Sequence, residues 1–262
     1  MNVSQSTNEL DYSVFDYSEV KPPIRADLPE AYRTVWMQLG RPGNWFNAED
    51  RLAIAREVRV AGRCELCAQR KKALSGNAAP GEKAVHDCES NLPDAVVDAV
   101  HRITTDASRL SKSWLQEFYT AGYSDGHYVE LLGIVVALIS IDSFQRAMGF
   151  KIEPLPAPQA GQPSQYRPPG ATGSGAWVDT VSPDNLTQPE ADIYGGMPQT
   201  GNVASAMSLV PDSVRMLVTL SKAQYLPMHL VPDPESNGGR ALSRSQMELL
   251  AGRVSSLNQC FY

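Results

Sequence analysis

Residues 131–141, Leu-Leu-Gly-Ile-Val-Val-Ala-Leu-Ile-Ser-Ile, are apolar on every side, a pattern that suits a helix surrounded by others rather than one lying on a surface. The segment opens at Ser124-Asp-Gly-His and runs to Met148, which predicts a buried central helix. Asp142, set among its apolar residues, reads as a satisfied polar group near the helix end. The remaining periodic segments also have helical spacing. Residues 30–39 stop at Gly40-Arg-Pro-Gly, and a second helix is capped by Asn47 and runs towards Cys64-Glu-Leu-Cys67. Residues 92–105 carry Val96, Val97, Val100 and Ile103 on a stripe, and residues 110–121 carry Trp114, Leu115 and Phe118. Further helices are expected over 204–209 and 213–220, separated by Pro211-Asp, and from Ser243 onward. No series of alternating strands appears, so the expected fold class is all-α.

Composition sets outer limits on function. A net charge of −6 with one short basic run, Arg70-Lys-Lys, gives no footprint for nucleic acid. The central apolar run is far short of the about 20 residues that span a bilayer, so no membrane partner is expected. The N-terminus lacks the basic-then-apolar order of a signal peptide. Four cysteines in 262 residues are too few for a disulfide scaffold, and a cytoplasmic, reducing location follows. There, cysteines are redox-active or metal-binding more often than structural. Residues 1–29 read as a polar arm. Residues 151–196 hold eight of the 19 prolines with Pro168-Pro-Gly and Gly173-Ser-Gly, the composition of a linker, and Trp177 within them is expected to dock on a folded part.

The last stretch, from Leu242 to Tyr262, begins with Ser243 as N-cap and Gln246 three residues later, a capping box. Glu248 follows on the second turn, and Asn258 and Cys260 lie ten and twelve residues beyond it. This resembles the signature of the AhpD-like alkylhydroperoxidases of the carboxymuconolactone decarboxylase superfamily: Glu, about a dozen residues, then Asn-x-Cys-x-x-Cys-x-x-x-His. Phe261 and Tyr262 fill the two places after Cys260. The second cysteine would come next, and the expectation is a chain that continues there, with selenocysteine, encoded by UGA, as one candidate for that position. The first helix-to-cysteine stretch has the same cap-to-cysteine distance: Asn47 precedes Cys64 by seventeen residues, as Ser243 precedes Cys260. Phe46 matches Leu242, Ala55 matches Ala251, and Val58 matches Val254. Two AhpD-like units in tandem are therefore expected, at 30–150 and 197–262, with the second truncated.

The resemblance implies a peroxidase-type, peroxiredoxin-like oxidoreductase that reduces hydroperoxides without a bound cofactor, is recycled by an external thiol reductant and assembles as a homo-oligomer. The expected catalytic residues are Cys64, Cys67, Glu248 and Cys260. Glu248 would move protons, Cys260 would be a resolving thiol, and the pair Cys64–Cys67 would carry a complete thiol cycle. A helix starting at this pair would favour a thiolate through its free amides and dipole. The first unit departs from the family pattern, because Leu52 stands where the Glu would be and Lys71 where the His would be. Glu57, His101 and His127 are the candidates to replace that proton relay, and Arg70 and Lys71 could act by charge. An alternative of another class uses Cys64, Cys67, His86 and Cys88 as a structural zinc site in a non-redox protein with an assembly role.

Overall fold

The computed structural model describes residue 11 and residues 13–73, 85–173 and 175–260. Among them are nine α-helices and one small two-stranded sheet, so the all-α reading holds. The helices are α1 (Asp27–Leu39), α2 (Ala48–Ala61), α3 (Glu65–Lys72), α4 (Asp94–Asp106), α5 (Lys112–Thr120), α6 (Asp125–Ala147), α7 (Asn202–Ala206), α8 (Pro211–Gln224) and α9 (Arg244–Leu257). Strands β1 (Ala171–Gly173) and β2 (Asp179–Val181) pair antiparallel with Ala171 opposite Val181.

The central helix is α6. The Ser124 hydroxyl accepts from the His127 amide at 3.3 Å, and His127 Nδ1 accepts from the Ser124 amide at 3.2 Å. At 23 residues, α6 is longer than its apolar run and is long and apolar enough to cross a membrane by length and composition. Much of its apolar surface is nonetheless covered by protein: Val129, Leu131, Ile134, Val135, Leu138 and Ile141 are all buried, while Ile139 is exposed. Helices α2, α4 and α8 pack against it.

Two buried acids on α6 determine how α2 docks. Glu130 pairs with Arg51 and accepts the Trp45 amide at 2.6 Å. Asp142 receives Arg59 through two bonds of 2.9 and 3.0 Å, which satisfies it as expected. A charge in an apolar interior is costly unless paired, so both acids specify this one docking. On the other side of α6, a Cβ on Gly133 would lie 2.3 Å from Ser213 Oγ. Glycine there lets α8 approach closely, and Pro211 fits the first turn of α8, where its missing N–H has no role.

The proline-rich stretch is not a free linker. It lies as a strap along the turn after α1. Trp36 Nε1 donates to Pro154 O at 2.9 Å, the Gln159 amide to Gly40 O at 2.7 Å, and the Gln165 amide to Asn44 O at 2.7 Å. Prolines rule out helix here but leave carbonyls and intervening amides free to bond another segment. Val178, Val181, Ile193 and Tyr194 then enter the interior, while Trp177, expected to dock, is 45% exposed. Part of the N-terminal arm is packed too: Phe15 is fully buried against Tyr32 and Trp36, and Arg33 donates to its carbonyl at 2.8 Å. One hydrophobic core contains side chains from α1, α2, α4–α8 and the strap.

The two capped helices expected to correspond differ in setting. Asn47 accepts from the Asp50 amide at 2.9 Å and Ser243 from the Gln246 amide at 3.3 Å, so both caps form. Helix α2 buries ten of its 14 residues, whereas α9 buries Met247 alone.

Candidate functional site: a Cys-Cys-His-His cluster

The chain leaves α2 through Gly62 and Arg63, places Cys64 as the N-cap of α3, and Cys67 one turn on. Cys64, Leu66 and Cys67 form their own small buried cluster, apart from the main core. Helix α4 lies alongside α3. Its inward stripe of Val96, Val97, Val100 and Ile103 is buried as the periodicity predicts, and His101, four residues after Val97, falls on that same stripe and is fully buried. His86 arrives from the segment before α4.

That segment is fixed at several points. Asp87 accepts the Glu65 amide at 2.8 Å, and Glu57 accepts the Glu89 amide at 2.8 Å. His86 is thereby held over the cysteines. Its Nδ1 is 3.5 Å from Cys64 Sγ and 3.6 Å from Cys67 Sγ, and His101 Nδ1 is 3.3 Å from Cys67 Sγ. The outer nitrogen of each ring meets a carboxylate: His86 Nε2 lies 3.0 Å from Asp98 Oδ1 and His101 Nε2 3.1 Å from Glu57 Oε2. At His101 the Glu57 carboxylate assigns the proton to Nε2 and aims the Nδ1 lone pair at sulfur; at His86, where Arg70 Nη1 also lies 3.0 Å from Nε2, the hydrogen bond that Asp98 accepts from the ring makes the same assignment.

The charges follow from this packing. Burial pushes the Cys67 thiol up to about 12, against a hydrogen bond with Thr105. Burial also lowers His101, opposed by its bond to Glu57. Burial alone would raise Asp98, but hydrogen bonds from His86, Trp114 and Arg70 and the charge of Arg102 hold it well below the usual carboxylate range. Trp114 Nε1 donates to Asp98 Oδ2 at 3.0 Å and Arg70 Nη1 to Oδ1 at 2.6 Å. Arg70 thus serves the carboxylate behind His86, lies 3.0 Å from His86 Nε2, and by its charge lowers the Cys67 thiol against the effect of burial. Likewise the first amide of α3, at Glu65, is taken by Asp87, so the helix terminus gives Cys64 less than a bare N-terminus would.

Of the expected site residues, the structure brings together Cys64 and Cys67 and adds Glu57 and His101 from the three relay candidates. His127 instead completes the capping box of α6 as its third residue, among the rings of Trp45, Phe46 and Tyr123. Cys88 is exposed and outside the cluster, and His101 stands in the place the zinc alternative gave it. Glu248 and Cys260 sit elsewhere. Glu248 is on α9, accepting from the Tyr225 hydroxyl and from Arg244 Nε at 2.5 Å, which lowers its pKa. Cys260 is exposed past the end of α9, beside a cleft of 660 Å³ lined also by Lys71, Thr104 and Ile139. Phe261 and Tyr262, the two positions after Cys260 in the expected motif, lie outside the described residues.

Sequence reasoning missed Asp98. An acid three residues before a histidine on one helix face is its only local signal. The four facing atoms, two sulfurs and two Nδ1 nitrogens, all lie within 4.8 Å of one another, close enough for proton transfer, disulfide closure or a shared soft cation. No family model, curated protein or solved structure matches this chain.

Proposed function

We propose that this protein is a thiol-dependent peroxidase, in which Cys64 and Cys67 reduce a hydroperoxide and are recycled by an external thiol. The observation that carries the reading is the buried chain Glu57–His101–Cys67, with contacts of 3.1 and 3.3 Å, next to a second cysteine one helical turn away. Cys64, at the start of α3, attacks as thiolate: its sulfur bonds to the terminal peroxide oxygen, the O–O bond breaks, and the alkoxide leaves with a proton as alcohol. Cys64 is then a sulfenic acid. Cys67 attacks that sulfur and releases water as the disulfide closes. Burial keeps Cys67 protonated until this step, and His101 Nδ1, its Nε2 proton held by Glu57, is placed to take the proton away. Two electrons from an external dithiol reopen the pair.

The resemblance in the cysteine motif supports the same class, and the reading carries a cytoplasmic location and homo-oligomeric assembly. The exposed Leu249, Leu250, Val254 and Leu257 on α9 support the latter. The test is hydroperoxide consumption by the purified, metal-free chain with a dithiol reductant. Turnover that disappears in Cys64→Ser, with a Cys64–Cys67 disulfide in the oxidised wild type, is the expected result. Turnover that survives in Cys64→Ser overturns the reading.

A further inference from the structure

With each Nε2 proton directed at a carboxylate, the two Nδ1 lone pairs and the two sulfurs make four donor atoms converging on one point, with only two thiol protons among them. A divalent ion satisfies all four together. For zinc–sulfur bonds of about 2.3 Å and zinc–nitrogen bonds of about 2.0–2.1 Å, the sulfur-to-nitrogen edge of a tetrahedron is about 3.6 Å. The three sulfur–nitrogen separations here are 3.5, 3.6 and 3.3 Å. Both imidazoles have a carboxylate on their outer nitrogen, the arrangement that orients ligating histidines and raises their basicity. Cys64, Cys67 and His101 are buried, and the His86 side chain is only 9% exposed.

We propose that Cys64, Cys67, His86 and His101 hold one zinc-class divalent ion in a closed tetrahedral site, with Glu57 and Asp98 as the carboxylates behind the two histidines. Two sulfurs with two nitrogens in this geometry favour zinc over ions that prefer planar or octahedral oxygen-rich sites. Binding releases the two thiol protons and leaves both sulfurs as thiolates. The ion also explains how α3 is held, since its cysteines lie in a cluster separate from the main core. A closed site with four protein ligands leaves no position for substrate, so the ion masks the thiol pair. The metal-bound form is then the resting state of the redox centre proposed above, and ion and disulfide exclude each other because both need the same two sulfurs. That last link rests on the peroxidase reading; the ion site itself does not.

The test is metal analysis of the full chain as purified, followed by cobalt(II) titration of the metal-free protein. One zinc per chain is expected. Cobalt should bind one per chain, with sulfur-to-metal charge-transfer absorption and the intense visible bands of a tetrahedral ion. Cys88→Ser should keep this spectrum and His101→Ala should lose it; if His101→Ala does not fold, the wild-type spectrum and Cys88→Ser still decide. A metal-free chain that gives no tetrahedral cobalt spectrum, or a Cys88→Ser chain that loses it, overturns the proposal. If that chain still consumes hydroperoxide, the peroxidase reading survives alone. A zinc-loaded protein whose metal-free form consumes no peroxide leaves the ion site standing and removes the peroxidase.

Discussion

The change Glu57→Gln tests the proton relay at one atom. Both carboxylate oxygens of Glu57 are in use: one accepts the Glu89 amide at 2.8 Å, the other faces His101 Nε2 at 3.1 Å. Glutamine has a single oxygen. If it keeps the Glu89 bond, its NH2 points at a nitrogen that also carries a proton. Two donors cannot share that contact in a fully buried place, so His101 moves its proton to Nδ1 and accepts from the new amide. Nδ1 then presents a hydrogen to Cys67 and can no longer take its proton. The stability cost is limited because this flip satisfies the amide; an unsatisfied buried donor would cost about 1–3 kcal/mol, and the variant should lose less. Activity should fall much further, by about 10²–10⁴-fold, the usual worth of a placed general base. The assay is hydroperoxide consumption by metal-free wild type and variant, beside thermal melting and a count of titratable thiols. A variant that folds, keeps both thiols and turns over at the wild-type rate would refute the relay.

Two further changes probe the surroundings. Arg51→Met leaves Glu130 buried without its cation, and the loss of one partner of such a pair costs about 3–5 kcal/mol; urea unfolding should show it, and an unchanged midpoint would mean that α2 is not held to α6 through this pair. Asp98 has a folded-state pKa below its unfolded value of about 4. It therefore contributes stability that is present above about pH 4 and fades as the pH falls through the folded value. The gap in urea midpoint between wild type and Asp98→Asn should narrow from about pH 5 towards about pH 2, and a gap independent of pH would remove the network of Arg70, Arg102, His86 and Trp114 as its source.

What the sequence made legible is what short-range physics writes into it. The apolar run at 131–141 with its start at Ser124, the stripe of Val96, Val97, Val100 and Ile103, and the caps at Asn47 and Ser243 all became helices, because period and capping are local properties. The Cys64–Cys67 pair and two of its partners were also within reach, since a histidine and a glutamate without local work are natural candidates for a buried pair. The strap at 151–196 was not legible, because proline density reports which bonds a segment cannot make with itself and is silent about those its carbonyls make with α1. The fourth member of the cluster was misplaced for a similar reason. Cys88 is two residues from His86 and looked like a ligand by spacing, but the folded chain leaves it exposed, and the buried stripe of α4 supplied His101 from across the fold. The stripe itself held the clue. A histidine at a position where the neighbours are valine and isoleucine must face inward, and an inward imidazole needs a partner at each nitrogen. Glu57 supplies one and Cys67 the other, and the whole site follows from satisfying that one ring.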